Sequence, residues 1–134
     1  MSHGRILIVE PDPASRRDLV AALQRSGCVV RAVAGASAAS SVVLRFRPDV
    51  ILLDVDAPRY SGPDFHECLR STRRGGRIPV VYLSSEDSWI QRETAQQQGA
   101  VALITRPLDS AEIINAIRDA LTAFAIHDHT PVTV

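Results

Sequence analysis

Five short apolar runs constrain this chain more than any other feature. They lie at residues 6–9, 29–33, 50–53, 80–83 and 101–104, and several are continuous rather than alternating. A strand with one wet face alternates apolar and polar residues. A continuous β-branched run suits a strand covered on both faces, as in a parallel sheet. Between the runs lie segments with helical spacing. Asp12 can cap a helix with Pro13 at its first position, and Leu19, Val20 and Leu23 then share one face until Gly27 stops it. Further helices are predicted over about 36–46 (ended by Pro48), about 63–72 (followed by the loop "RRGGR"), and from Ser85-Glu86-Asp87 to Gly99. A last one starts at Asp109-Ser110, carries Ile113, Ile114, Ile117, Leu121 and Phe124, and frays by about Ile126.

The order is β-α repeated five times. Short connections force parallel strands and right-handed crossovers, with helices on both faces of the sheet. The chain is therefore read as one α/β domain over residues 1–126, a doubly wound (βα)5 five-stranded parallel sheet, with a short tail at 127–134. A length of 134 residues and 46% hydrophobic content suit one core. Fifteen basic and fifteen acidic residues cancel, so no charge excess points to nucleic acid or a membrane surface. Every basic residue is Arg. Cys28 and Cys68 lack CxxC spacing and read as reduced thiols in or near the core. The start, "MSHGR", has no apolar signal region, and no apolar run is long enough to span a membrane, so the cytoplasm is the expected location.

In doubly wound sheets, ligands bind outside the carboxyl ends of the strands. There the sequence places Glu10, Asp54 with Asp56 two residues on, Ser84-Ser85, and Thr105-Arg106-Pro107. Clustered acids fit magnesium, a hard cation that takes oxygen ligands. A hydroxyl and a cation facing one cavity suit phosphoryl oxygens. A flavin site is compatible with the architecture, but no Gly- or Thr-rich phosphate loop follows the first strand, and Pro11 and Pro13 of "VEPDP" argue against it.

These residues resemble the receiver domain of bacterial two-component response regulators over essentially the whole chain. "PDVILLDVDAPRYSG", residues 48–62, matches the family's phosphoacceptor at Asp54, its proline at Pro58 and its glycine at Gly62. "IPVVYLSS" matches the switch hydroxyl at Ser84, and "GAVALITRPL" places Arg106 where the family has Lys before a proline. The resemblance implies a flavodoxin-like fold and phosphoryl transfer to Asp54 from a histidine kinase or phosphotransfer protein. It also implies magnesium held by Glu10, Asp54 and the backbone carbonyl of Asp56, a switch hydroxyl at Ser84, a cation at Arg106, and no enzymatic action beyond self-catalysed phosphoryl acceptance. Output is expected on the face of helix four, strand five and helix five, toward a downstream protein or a second copy, without direct contact to nucleic acid or membrane. Residues 127–134 are too few for a DNA-binding module, so a stand-alone receiver is expected.

Three positions depart from the family pattern. Pro11 stands where a second acid normally supplies a metal ligand. The site is then degenerate, or weakened but compensated by Asp56, or reached by Asp12 through a distorted turn. Arg106 replaces Lys, and a bulky forked cation can hold Asp54 in a standing pair. Leu103 and Ile104 stand where the family often has its switch aromatic. The alternative function is a phosphorylation-independent pseudo-receiver used for protein interaction or dimerisation.

Among weaker features, Trp89 and Ile90 on helix four either face partners or pack partly against strand five. Arg70, Arg73, Arg74 and Arg77 read as a solvated cluster, and His66 as exposed beside charged neighbours. The "HDH" of 127–129 is a weak metal signal in a frayed end.

Overall fold

The structure, a computed structural model, describes residues 4–56, 62–86 and 88–128. Five parallel strands, β1 (Arg5–Val9), β2 (Val29–Val33), β3 (Val50–Asp54), β4 (Val80–Ser84) and β5 (Ala102–Thr105), form one sheet in the order β2-β1-β3-β4-β5. The helices are α1 (Pro13–Arg25), α2 (Ala36–Phe46), α3 (Gly62–Arg70), α4 (Trp89–Gln98) and α5 (Ser110–Asp128). The doubly wound, flavodoxin-like (βα)5 reading is the observed fold.

Strand alternation sorts the core into two layers. Ile6, Ile8, Val50, Leu52, Val81, Leu83 and Ile104 pack against Leu19 and Leu23 of α1 and Ile113 and Ile117 of α5. Leu7, Val9, Ile51, Leu53, Val80 and Tyr82 pack on the opposite face against Ala39 and Val43 of α2, Phe65 and Leu69 of α3, and Ala95 of α4. Every residue of β3 and β4 is buried, which is why their runs are continuous. Edge strand β2 is only half covered.

Local chemistry places the helix ends. Asp12 caps α1 by accepting from the Ser15 amide at 2.8 Å. Ser88 caps α4 through the Gln91 amide, so this helix starts at Trp89, later than Ser85 to Asp87 had suggested; Asp87 lies outside the described residues. Gly99 closes α4 in the left-handed region at φ 83°. In "RRGGR", residues Gly75–Arg77 form a 3-10 turn, and a Cβ on Gly75 would overlap the Leu69 carbonyl. Helix α5 continues to Asp128, past the expected fraying at Ile126. The rest of the tail, with His129, lies outside the described residues, as do Pro58 and Ser61.

Two expectations are corrected. Cys68 is exposed, because it falls on the outer side of α3, whereas Cys28 is buried; both thiols are free. His66 is buried, not exposed. Its place beside Phe65 and Leu69 turns it toward the sheet, where its Nδ1 meets the Tyr82 hydroxyl at 2.7 Å.

Candidate functional site at the strand ends

Parity along the strands sets the geometry. Glu10 follows Ile8, Asp54 follows Leu52, and Arg106 follows Ile104, each by two residues. All three continue the strand alternation on the α1–α5 side. Glu10 and Asp54 sit at the ends of neighbouring strands and are almost fully buried. Arg106 lies beyond β5, two strands from Asp54. Its long side chain crosses the end of β4 to reach them.

The guanidinium forks between the two acids rather than gripping one. Its Nη2 donates to Asp54 Oδ2 at 2.7 Å and also to Glu10 Oε1. Its Nη1 donates to the Ser15 hydroxyl at 3.1 Å, and that hydroxyl donates to Glu10 Oε1 at 3.2 Å. The remaining oxygens are also engaged. Glu10 Oε2 accepts from the Asp12 amide at 3.1 Å, and Asp54 Oδ1 accepts from the Asp56 amide at 2.8 Å. Arg16 pins the turn by donating to the Glu10 carbonyl at 2.8 Å and the Pro11 carbonyl at 3.3 Å.

Asp56 turns the other way. Its Oδ1 accepts from the Ser84 hydroxyl at 3.1 Å and its Oδ2 from the Ser85 amide at 2.6 Å. The sequence-predicted residues Glu10, Asp54, Asp56, Ser84 and Arg106 thus converge on one end of the sheet, as two linked groups. A cleft of about 560 Å³, lined by Glu10, Asp54, Asp56 and Arg106 together with Pro11 to Pro13 and Ser15, opens above them.

The response regulator receiver domain family matches residues 6–118. The chain belongs to that family. It is 34% identical over 117 residues to a response regulator named MprA from Mycobacterium leprae, covering 87% of this chain and 50% of that protein. It therefore spans about half the length of the curated relatives it matches. Its fold matches a CheY-like response regulator receiver domain protein from Methanospirillum hungatei at a TM-score of 0.82 and 21% identity, covering 92% of this chain and 97% of that one. It also matches a sensor protein from Polaromonas sp. at 0.83 and 25% identity, covering 90% and 97%. Among the described residues no helix is long and apolar enough to cross a membrane.

The electrostatics of this receiver follow from sharing one cation between two buried acids. Burial pushes the Asp54 carboxyl up; the Asp56 amide and Arg106 pull it back, the Glu10 charge adds to the rise, and the net is upward. Burial opposes the Arg106 charge, but hydrogen bonds to Asp54 and Glu10 outweigh it, so the guanidinium is held still more firmly protonated.

Magnesium does not fit the residues as they stand. Among the described residues no group of three Asp, Glu, His or Cys side chains is arranged to hold a metal ion. Glu10 and Asp54 face Arg106, the Asp56 side chain that could have compensated is committed to the end of β4, and Pro11 has no ligand atom to offer on its side chain. Asp12 is spent on the helix cap. The guanidinium stands beside the acids that a metal would need.

Sequence reasoning missed Ser15, which links Arg106 to Glu10. Its spacing, three residues after the Asp12 cap, puts it on the first turn of α1 and was the available signal. Trp89 and Ile90 are exposed at 73% and 60%, so neither packs on strand five. Arg73, Arg74 and Arg77 are solvated, while Arg70 donates to the Gln98 carbonyl and ties α3 to α4.

Proposed function

We propose that this receiver accepts a phosphoryl group on Asp54 from a partner histidine kinase or phosphotransfer protein, with Arg106 as the resident cation. One observation carries the reading: Asp54 lies under an open cleft with a guanidinium already on its carboxylate, at 2.7 Å. A carboxylate is a poor nucleophile toward an anionic donor unless a cation screens the charge. An Asp54 oxygen attacks phosphorus, the bond from phosphorus to the donor's imidazole nitrogen breaks, and that nitrogen's electron pair takes a proton from solvent. The product is an acyl phosphate. The chain catalyses its own modification. The exposed Trp89 and Ile90 begin the face of α4, β5 and α5 that would dock a downstream protein or a second copy, in the cytoplasm.

A second reading has its own support. Every carboxylate oxygen of Glu10 and Asp54 is already bonded within the chain, which suits a phosphorylation-independent interaction module. Intact mass after incubation with acetyl phosphate and magnesium separates the two. The proposal expects a phosphoryl adduct that is lost in Asp54→Asn. An unmodified wild-type chain, under conditions that modify an ordinary receiver, leaves the second reading.

A further inference from the structure

We infer that the Asp56 carboxylate is a built-in competitor for the phosphoryl group, holding the hydrogen-bond donors at the end of β4 that would otherwise take phosphoryl oxygens. The inference rests on the phosphoacceptor reading of Asp54.

The contact is two-pronged. Oδ1 accepts from the Ser84 hydroxyl at 3.1 Å, and Oδ2 accepts from the Ser85 amide at 2.6 Å. A hydroxyl and an adjacent backbone amide that converge on one pair of oxygens form an oxyanion site, and two oxygens on one carbon fill it as two on one phosphorus would. A local turn cap does not account for this, since the contact spans 28 and 29 residues of sequence and joins two strands. Asp56 is also tied to the acceptor itself, because its amide donates to Asp54 Oδ1 at 2.8 Å. The residue is therefore a strut from Asp54 to Ser84 and Ser85.

The Ser84 hydroxyl carries one proton and can serve one acceptor at a time. Beyond Asp56 its alternative is the Glu86 carbonyl at 3.3 Å, while its oxygen accepts from the Glu86 amide at 3.1 Å. An incoming phosphoryl group must win that proton and the Ser85 amide from a carboxylate of its own charge sign. Asp56 thus keeps Ser84 drawn toward the site with no phosphoryl group present, and it opposes phosphoryl uptake.

The test uses the full chain, wild type and Asp56→Ala, with Asp56→Asn as the conservative variant. The Ser85 amide proton is followed by NMR without ligand, and beryllofluoride is titrated in the presence of magnesium. In Asp56→Ala the Ser85 resonance should move upfield before any ligand is added. Beryllofluoride affinity should rise at least about tenfold, since a charge-assisted contact no longer competes. Asp56→Asn, which keeps one acceptor oxygen, should fall between. Coincident Ser85 resonances, or equal beryllofluoride affinities in wild type and Asp56→Ala, overturn the inference. If neither protein binds beryllofluoride, the phosphoacceptor reading fails, and the Ser85 shift alone decides whether Asp56 holds those donors.

Discussion

Two of the buried polar contacts are built on opposite principles. At the strand ends, Arg106 is shared by Glu10 and Asp54 under an open cleft. On the other face of the sheet, His66 and Tyr82 meet with ring centroids 5.5 Å apart, sealed beneath α3. The first contact is ionic, and it sits where the cleft lets water and ligands reach it. The second is neutral, and burial keeps it so: desolvation, with Arg70 adding to the effect, lowers the His66 pKa to about 4, and burial pushes Tyr82 up to about 12. Charge is kept where it can be used, while the core accepts polar atoms only when they stay uncharged and paired.

Breaking the ionic contact should have the largest effect. Arg106→Ala leaves Glu10 and Asp54 buried side by side without a cation. That should cost about 3 kcal/mol near neutral pH, the low end for an orphaned buried charge, because Arg106 is itself a quarter exposed. Asp54, whose carboxyl burial already pushes up, then loses the guanidinium that pulls it back, so the deficit is full at neutral pH and shrinks as acid protonates it. Urea unfolding at neutral and acidic pH reads both the size and the sign. A deficit independent of pH would mean that Arg106 stabilises through packing.

The neutral contact should respond in the opposite sense. The folded-state pKa of His66 lies below its usual value. Its stability contribution is therefore complete above about pH 6.5 and is lost as pH falls toward 4, by roughly 2–3 kcal/mol. His66→Gln should remove that slope between pH 6.5 and 4.5 in urea midpoints. If the slope persists, the acid sensitivity belongs to the sheet edge and the contrast between the two regions is wrong.

How much of this was legible in the sequence depended on whether the deciding neighbours lay in one segment. The five runs announced the sheet because strand burial is written residue by residue, and Glu10, Asp54, Ser84 and Arg106 were legible because each ends or follows a run. His66 was not, since its burial depends on a hydroxyl 16 residues away on another element. The direction of Asp56 was equally hidden. The sequence offered its side chain as compensation for the acid that Pro11 replaces, but its carboxylate oxygens went to Ser84 and Ser85, because those donors project from the end of β4 beside the end of β3. The forked reach of Arg106 to Glu10 could not be read either, because strand order is not printed in the chain.

A smaller effect tests whether the ionic region is a network or a pair. Ser15→Ala removes the hydroxyl that accepts from Arg106 at 3.1 Å and donates to Glu10 at 3.2 Å. In a network it should cost about 1 kcal/mol, and it should be silent in an Arg106→Ala background if its role is to hold that guanidinium. A double-mutant cycle measures the coupling. Additive losses would confine the contact to Arg106 and the two acids.

Pro11 should matter least to folding and most to what the site can bind. It is exposed, and its carbonyl already serves Arg16. Pro11→Asp should therefore change stability by no more than about 1 kcal/mol, mainly through the unfolded chain. The new carboxylate would stand beside Glu10 and compete with it for the Arg106 guanidinium. If the missing acid is what keeps a metal out, calorimetric titration should show tighter magnesium binding in Pro11→Asp than in wild type. If Arg106 is the obstacle, the affinity stays unchanged in Pro11→Asp and rises only when Arg106→Lys is added, because a compact ammonium leaves the acids room that a fork does not.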